Sequence, residues 1–488
     1  LLLHIMRVVL ALLAAAAGLG ADGWKDRIIY QVITDRFANT TEELSSCDGV
    51  PGVANCQWGA YCGGVFAGLQ RNLEYIKAMG FDSIWISPVP ENTQCGYHGY
   101  WASNFFEVNP HYGTKAQLQE LVEAAHNKSM LVMVDVVFNH VGPGVNLTHE
   151  DAYRDYPQFN TTTDYHLPCA RGVNTSNQTS IEDCWLATLP DLDQSIPSVT
   201  DTLLVWIKDL LATFNFDGIR IDTVPYVPKS FWKKLRGEIF PGTYSVGEVL
   251  IPDKPFAYAA SYQDDPTEGP LLDAVLNYPM FWPWREAYRF QGSFAAVAEA
   301  AQWVEGNFTD PSVLGNFLDN HDQPRFLFEN NNVVMLRNNL ATLYGWPGIP
   351  IVYYGTEALM ATGGSDTLNR DPLWRHPLTP GNLTVFLAQL AGVRRSIPTS
   401  TPLSVLYADS SALAFARGTV LFVSFNAARY IGIQPSAAKK HPWTSRDQRI
   451  REVLTGLTGS VGEFEDRDLW TEDGEPQIWM LDGENLLV

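Results

Sequence analysis

Short apolar runs recur along most of the chain, each followed by a longer stretch whose apolar residues fall at helical spacing. Runs at 28–32, 83–89, 131–137, 218–224, 244–249, 274–278, 314–318 and 349–353 read as eight strands. Strand and helix in alternation is the pattern of β/α units on a parallel sheet. Between the third and fourth runs, Leu203, Leu204, Ile207, Leu210, Leu211 and Phe214 recur three and four residues apart. That stripe predicts a helix packed on the outside of the sheet, a core role with no cofactor chemistry. The pattern predicts an α/β fold, a TIM (β/α)8 barrel.

Two stretches break the rhythm. Val141 to Ser198 is polar, holds Cys169 and Cys184, and is far longer than a usual strand-to-helix loop. It predicts a small domain inserted after strand 3. After Ser396 the pattern changes to short alternating runs, Ala412–Arg417 and Val420–Phe425 about Gly418. A hairpin there predicts a C-terminal antiparallel β-sandwich. The expected organisation is 1–21 leader, 22–140 barrel, 141–198 insert, 199–396 barrel and 397–488 C-terminal domain.

Three strands end in charge. Phe216-Asp-Gly-Ile-Arg-Ile-Asp-Thr-Val224 alternates Ile219 and Ile221 with Arg220 and Asp222. On an ordinary strand the polar positions would face solvent. Val246-Gly-Glu-Val249 and Phe317-Leu-Asp-Asn-His-Asp322 repeat the theme, however, each an apolar run closing on a carboxylate. Carboxylates at the ends of several strands predict one site at one end of the barrel.

Asp135-Val-Val-Phe-Asn-His140, Gly218-Ile-Arg-Ile-Asp-Thr-Val224, Gly247-Glu248 and Phe317 to Asp322 resemble the four signature stretches of the α-amylase family of glycoside hydrolases, in order. Lesser matches at Thr34–Ala38, Tyr61–Gly64, Tyr97–Trp101, Glu182–Trp185 and Leu189–Asp193 extend the likeness from about Trp24 to about Arg375, in the manner of secreted fungal enzymes of the Taka-amylase type. The resemblance implies endo-acting hydrolysis of α-1,4-glucosidic bonds in starch and maltooligosaccharides, with retention of configuration. Retention needs a nucleophilic carboxylate and a carboxylic acid ~5 to 5.5 Å apart. By resemblance Asp222 is the nucleophile, Glu248 the acid/base, and Asp322 the third carboxylate, binding sugar hydroxyls. Arg220 would orient Asp222, and His98, Tyr100, Trp101, His140, His321, Asp366 and Arg370 would contact substrate. Asn139, Glu182, Asp191 and the carbonyl of Tyr226 correspond to ligands for Ca²⁺, a hard cation that takes ~6 to 8 oxygens. One departure stands out: Pro225-Tyr226 replaces the Lys-His usual in this type, so binding on the leaving-group side is expected to be weaker. An α-glucanotransferase on the same fold is the alternative, and a non-catalytic binding protein is a poorer fit because all three carboxylates are present.

Composition narrows the partners. Lys+Arg 33 against Asp+Glu 54 gives a net charge of -21, which repels phosphate backbones and anionic lipid. Neither nucleic acid nor membrane is expected as a partner, and a monomer is. Met6-Arg7 followed by Val8 to Ala17 has the positive start and short apolar run of a secretory leader, although Leu1 to Ile5 precede it. The end, Glu484 to Val488, lacks the long apolar tail of a lipid-anchor signal, so a secreted, extracellular protein is expected. Sequons at Asn39, Asn127, Asn146, Asn160, Asn174, Asn177, Asn307 and Asn382 fit that route. Six cysteines, Cys47, Cys56, Cys62, Cys95, Cys169 and Cys184, predict disulfides. The resemblance pairs Cys169 with Cys184 and Cys56 with Cys62, leaving Cys47 and Cys95; Cys47 with Cys56 stays open.

Overall fold

The computed structural model describes residues 19–39, 60–144, 156–239, 242–252, 254–363, 368–376, 381–427, 431–433, 441–465, 469–471, 473–484 and 486. Nearly all of the expected leader lies outside these residues, as do Cys47, Cys56, Asn146 and Asp366. Eight parallel strands form a TIM-like barrel: β1 (Ile29–Gln31), β2 (Ser83–Ile86), β3 (Leu131–Val136), β4 (Gly218–Ile221), β5 (Tyr244–Gly247), β6 (Ala274–Val275), β7 (Gly315–Phe317) and β8 (Ile349–Tyr353). Every residue in them is buried, as expected when helices cover one face and packed side chains fill the other. The charged residue of β4, Arg220, therefore points into the protein, which excludes the reading of a solvated strand.

The backbone divides into two compact units. The first comprises the chain up to Lys25, Val32–Leu73 and Asp82–Leu276. It holds β2 to β6, paired in chain order. β4 starts at Gly218 for a steric reason: a Cβ there would lie 2.8 Å from the ring of Trp24, which stacks on Tyr244 of β5 at 5.2 Å. β4 ends at Ile221, short of the expected 224. Thr223 adopts a left-handed conformation (φ 47°), and Val224–Tyr226 with Pro225 forms a turn of 3-10 helix. The expected outer helix is α1 (Pro197–Phe214), with proline in its first turn and Asn215 in the left-handed conformation at its end. Leu203, Leu204, Ile207, Leu210 and Phe214 are buried on it, and Leu211 sits half-buried at the edge of the stripe.

The insert in this unit carries the disulfide Cys169–Cys184, a short helix at Gln178–Asp183, and antiparallel bridges Tyr165↔Leu192 and His140↔Asp191. Cys62 and Cys95 are also disulfide-bonded. Because Cys47 and Cys56 lie outside the described residues, the pairing among those four is open.

The second unit comprises Asp26–Gln31, Glu74–Phe81 and Asn277–Val488. In it β8 is flanked by β1 and β7, all parallel. The run expected as a strand through 278 stops at Val275, because the Asn277 side chain accepts from Met280 N and starts helix α2 (Tyr278–Phe290). Beyond the barrel, a six-stranded antiparallel sheet runs in the order 403–408, 412–417, 420–425, 477–481, 449–452, 458–460. Its central hairpin turns at Gly418 (φ 59°) and pairs Arg417 with Val420. Leu421, Val423, Phe425, Trp443 and Ile450 form its core, and a separate two-stranded pair joins 431–433 to 469–471.

Candidate active site

In the first unit the parallel register sets Asp135 on β3 opposite Arg220 on β4, and Arg220 opposite Val246 on β5. Asp222 follows Arg220 by two residues, so both project from one face of β4. Glu248 follows β5 directly, its amide donating to Ile221 O at 2.8 Å. The guanidinium of Arg220 is shared among the three carboxylates. Nη1 donates to Asp222 Oδ1 at 2.7 Å and to both oxygens of Asp135 at 3.0 and 3.1 Å. Nη2 lies 3.0 Å from Glu248 Oε2, an ion pair without hydrogen-bond alignment. Glu248 Oε2 also accepts from Thr223 N at 3.2 Å.

Arg220 is wholly buried, whereas Asp222 and Glu248 keep 7% and 8% exposure, so these two alone of the cluster reach an opening. Burial works against the Arg220 charge, but Asp135, Glu248, Tyr100 and Asp222 outweigh it and raise its pKa further. Burial pushes the Asp135 carboxyl up to about 7, opposed by Arg220 and aided by Asp222. Asp135 also accepts from Trp85 Nε1 at 3.1 Å and from Tyr100 Oη at 2.7 Å. The rings of Trp85 and Tyr100 in turn lie 5.3 and 5.9 Å from the guanidinium carbon. Asp135 is thus the buried anchor, and Asp222 and Glu248 are the partly exposed carboxylates of the cluster.

Aromatic residues border this cluster. His98 stacks on Tyr100 at 5.5 Å and meets Trp101 edge-on at 4.8 Å. Its Nδ1 accepts from Tyr100 N at 3.0 Å. His140 Nε2 donates to Tyr100 O at 3.1 Å, and its Nδ1 faces the amide nitrogen of Asn139 at 3.2 Å. Burial holds His140 below its ordinary pKa despite Asp222, which matches a neutral ring. Tyr226 is buried with Ile181 and Ile251.

The second unit carries the remaining candidates. His321 Nε2 lies 3.1 Å from Asp322 Oδ2, and Arg370 Nη2 donates to Asp322 Oδ1 at 2.9 Å. Arg370 Nε also donates to His321 O at 2.9 Å. Asn369 Nδ2 donates to Asn320 O and Gln323 O, and Arg289 donates to Leu318 O and Pro324 O. The loop bearing His321 and Asp322 is therefore fastened along its length. Asp366 lies outside the described residues.

The residues matched to a hard cation offer it two unsatisfied oxygens. Asn139 Oδ1 and Asp191 Oδ1 are buried oxygens with no hydrogen-bond partner. Asn139 O accepts from Leu192 N, which keeps the two residues side by side. Two orphaned oxygens at one place suit Ca²⁺. Glu182 is engaged otherwise, accepting from Gln178 Nε2 at 2.7 Å, and that amide also donates to Pro225 O at 3.1 Å. Among the described residues no group of three His, Cys, Asp or Glu converges as a metal cluster.

Sequence reasoning gave Asp135, Trp85 and Gln31 no roles. Asp135 had a signal, since it opens the first signature stretch and is the one charged residue in an otherwise apolar run; Trp85 and Gln31 had none. Residues 31–373 match the family described as alpha amylase, catalytic domain. An α-amylase of Saccharomycopsis fibuligera is 33% identical over 94% of this chain and 92% of its own length. Alpha-amylase 1 of Schwanniomyces occidentalis is 37% identical over 72% of this chain and 68% of its own. The solved structure of an α-amylase from Malbranchea cinnamomea superposes with a TM-score of 0.83 at 32% identity, covering 96% of this chain and 99% of that one. With the barrel, the carboxylate cluster and these likenesses together, the chain belongs to the α-amylase family of glycoside hydrolases, enzymes that act on α-glucans.

Proposed function

We propose that this enzyme is a secreted, endo-acting α-amylase that cleaves internal α-1,4-glucosidic bonds with retention. The observation that carries this reading is Arg220, whose two terminal nitrogens hold Asp222 and Glu248 together. A shared guanidinium favours the short carboxylate spacing of retaining enzymes, ~5 to 5.5 Å, over the wider gap that admits a water. Asp222 attacks the anomeric carbon while Glu248 protonates the departing glycosidic oxygen. A covalent glycosyl-enzyme forms, and Glu248 then takes a proton from the water that hydrolyses it. Arg220 keeps Asp222 oriented, and Asp322 favours the developing positive charge on the sugar ring. His98, Tyr100, Trp101, His140, His321, Asp366 and Arg370 bind substrate.

Asn139 and Asp191, with Glu182 and the Tyr226 carbonyl, would hold Ca²⁺, which when bound would tie the insert to the barrel strands. Secretion is supported by the disulfide Cys169–Cys184 and by the exposed sequon asparagines Asn127, Asn160, Asn174, Asn177 and Asn307. The enzyme acts as a monomer. The test is a time course of products from maltoheptaose, with the anomeric configuration of the new reducing ends followed by proton NMR. Products of intermediate size with α-configured ends support the proposal; products longer than the substrate favour transfer, and β-configured ends would exclude retention.

A further inference from the structure

Each of the three histidines assigned to substrate contact has a nitrogen donor placed at Nδ1: Tyr100 N on His98, the Asn139 amide on His140, and the Gln31 amide on His321. The third contact is the shortest, 2.7 Å, and joins two residues each 1% exposed. Gln31 is the last residue of β1, where pairing with Tyr353 of β8 fixes its backbone, and its carbonyl accepts from Tyr354 N. It comes from a different strand than His321, lies 290 positions away in sequence, and belongs to none of the signature stretches.

We propose that Gln31 is a positioning residue, holding His321 as a neutral ring whose only proton sits on Nε2, facing Asp322. The argument is one of donors and acceptors. An ionised Asp322 can only accept, so a ring nitrogen 3.1 Å from Oδ2 must carry hydrogen. In a neutral imidazole Nδ1 is then a bare acceptor, and a buried acceptor needs a donor. The Gln31 amide supplies it. A charged ring would need an acceptor at Nδ1, which Gln31 could offer by turning its amide over. Two features oppose that state. Asp322 already has a cation, Arg370, at 2.9 Å, and Arg370 also binds the carbonyl of His321, so a second positive charge would sit beside the first. A glutamate at position 31 would instead put a carboxylate on each ring nitrogen and force the imidazolium. An uncharged amide allows the ring to serve as a hydrogen-bond donor while leaving the charge of Asp322 to Arg370 and the substrate.

The inference rests on the assignment of His321 and Asp322 to the substrate site, and the test separates the two. The full-length enzyme labelled with [15N]histidine is examined by ring 15N NMR, His321 being identified from the signal lost in His321→Asn. The expected result is a neutral ring protonated at Nε2 in the parent, an imidazolium in Gln31→Glu, and a mixed or inverted tautomer in the near-isosteric Gln31→Met. In parallel, kcat on maltoheptaose should fall about tenfold in both variants, the order expected for one misdirected hydrogen bond to a charged group, with KM changed less than kcat. A parent ring protonated on Nδ1 or on both nitrogens, a ring state indifferent to Gln31→Glu, or kcat within twofold of the parent in both variants would each overturn the proposal. The parent spectrum decides the first point even if a variant fails to fold. Failure of the amylase reading would show elsewhere, as turnover surviving in Asp222→Asn, and would leave the ring spectrum untouched.

Discussion

Removing the Arg220 guanidinium is the sharpest perturbation the structure offers. Arg220→Met keeps the length and apolar bulk but leaves Asp135, Asp222 and Glu248 without their common cation. Breaking a buried pair by deleting one partner typically costs about 3 to 5 kcal/mol, because the remaining charge stays desolvated. Asp135 sets the magnitude here, since it is fully buried and its other partners are neutral, the Trp85 indole and the Tyr100 hydroxyl. A loss of this size would lower Tm by about 3 to 5 °C for a chain of this length unfolding as one unit. The pH dependence carries more information. The Asp135 carboxyl is already raised by burial to about 7 with Arg220 in place, and without Arg220 it rises further. A carboxyl raised in the folded state contributes stability that is fully present below its unfolded value of ~3.9 and is lost as pH rises through the folded value. The deficit of Arg220→Met relative to the parent should therefore be small near pH 4 and largest above pH 7. Thermal unfolding of both proteins at pH 4.5 and 7.5 measures it. Equal deficits at the two pH values would mean that lost packing, not an abandoned carboxylate, dominates, and the electrostatic reasoning would be refuted. Arg220→Lys keeps the charge but cannot fork among three acceptors, so it should recover part of the stability and little of the turnover.

Asp222→Asn and Glu248→Gln should each abolish turnover of soluble starch while far-UV circular dichroism stays native; near-native kcat in either would remove that residue from the mechanism. Chelation should lower Tm, because an ion bound only by the folded state stabilises it by mass action, and Asp191→Ala should abolish the response; unchanged Tm together with no calcium by metal analysis would discard the ion site. Pro225→Lys should raise kcat/KM on maltotetraose several-fold by supplying a donor that proline lacks. Adding Tyr226→His should lower Tm, since the Tyr226 ring packs with Ile181 and Ile251; no gain from Pro225→Lys at unchanged Tm would show that the absent lysine was not limiting.

The eight-strand rhythm, the presence of an insert and the change to antiparallel sheet after Ser396 were legible in the sequence, because period and local pattern are properties of neighbouring residues. Strand ends were less legible. β4 stops at Ile221 because Thr223 takes a left-handed conformation before Pro225, and β6 stops at Val275 because Asn277 caps a helix. Contacts over long separations could not be read at all. Asp135 meets Arg220 across 85 positions and Gln31 meets His321 across 290, and no periodicity encodes which distant side chains the sheet brings together. The sequence determined that a carboxylate would stand at the end of each strand in question. Only the tertiary structure decided that Asp135, a residue within β3, is buried as the anchor while Asp222 and Glu248 keep some exposure, because desolvation and register are settled by packing.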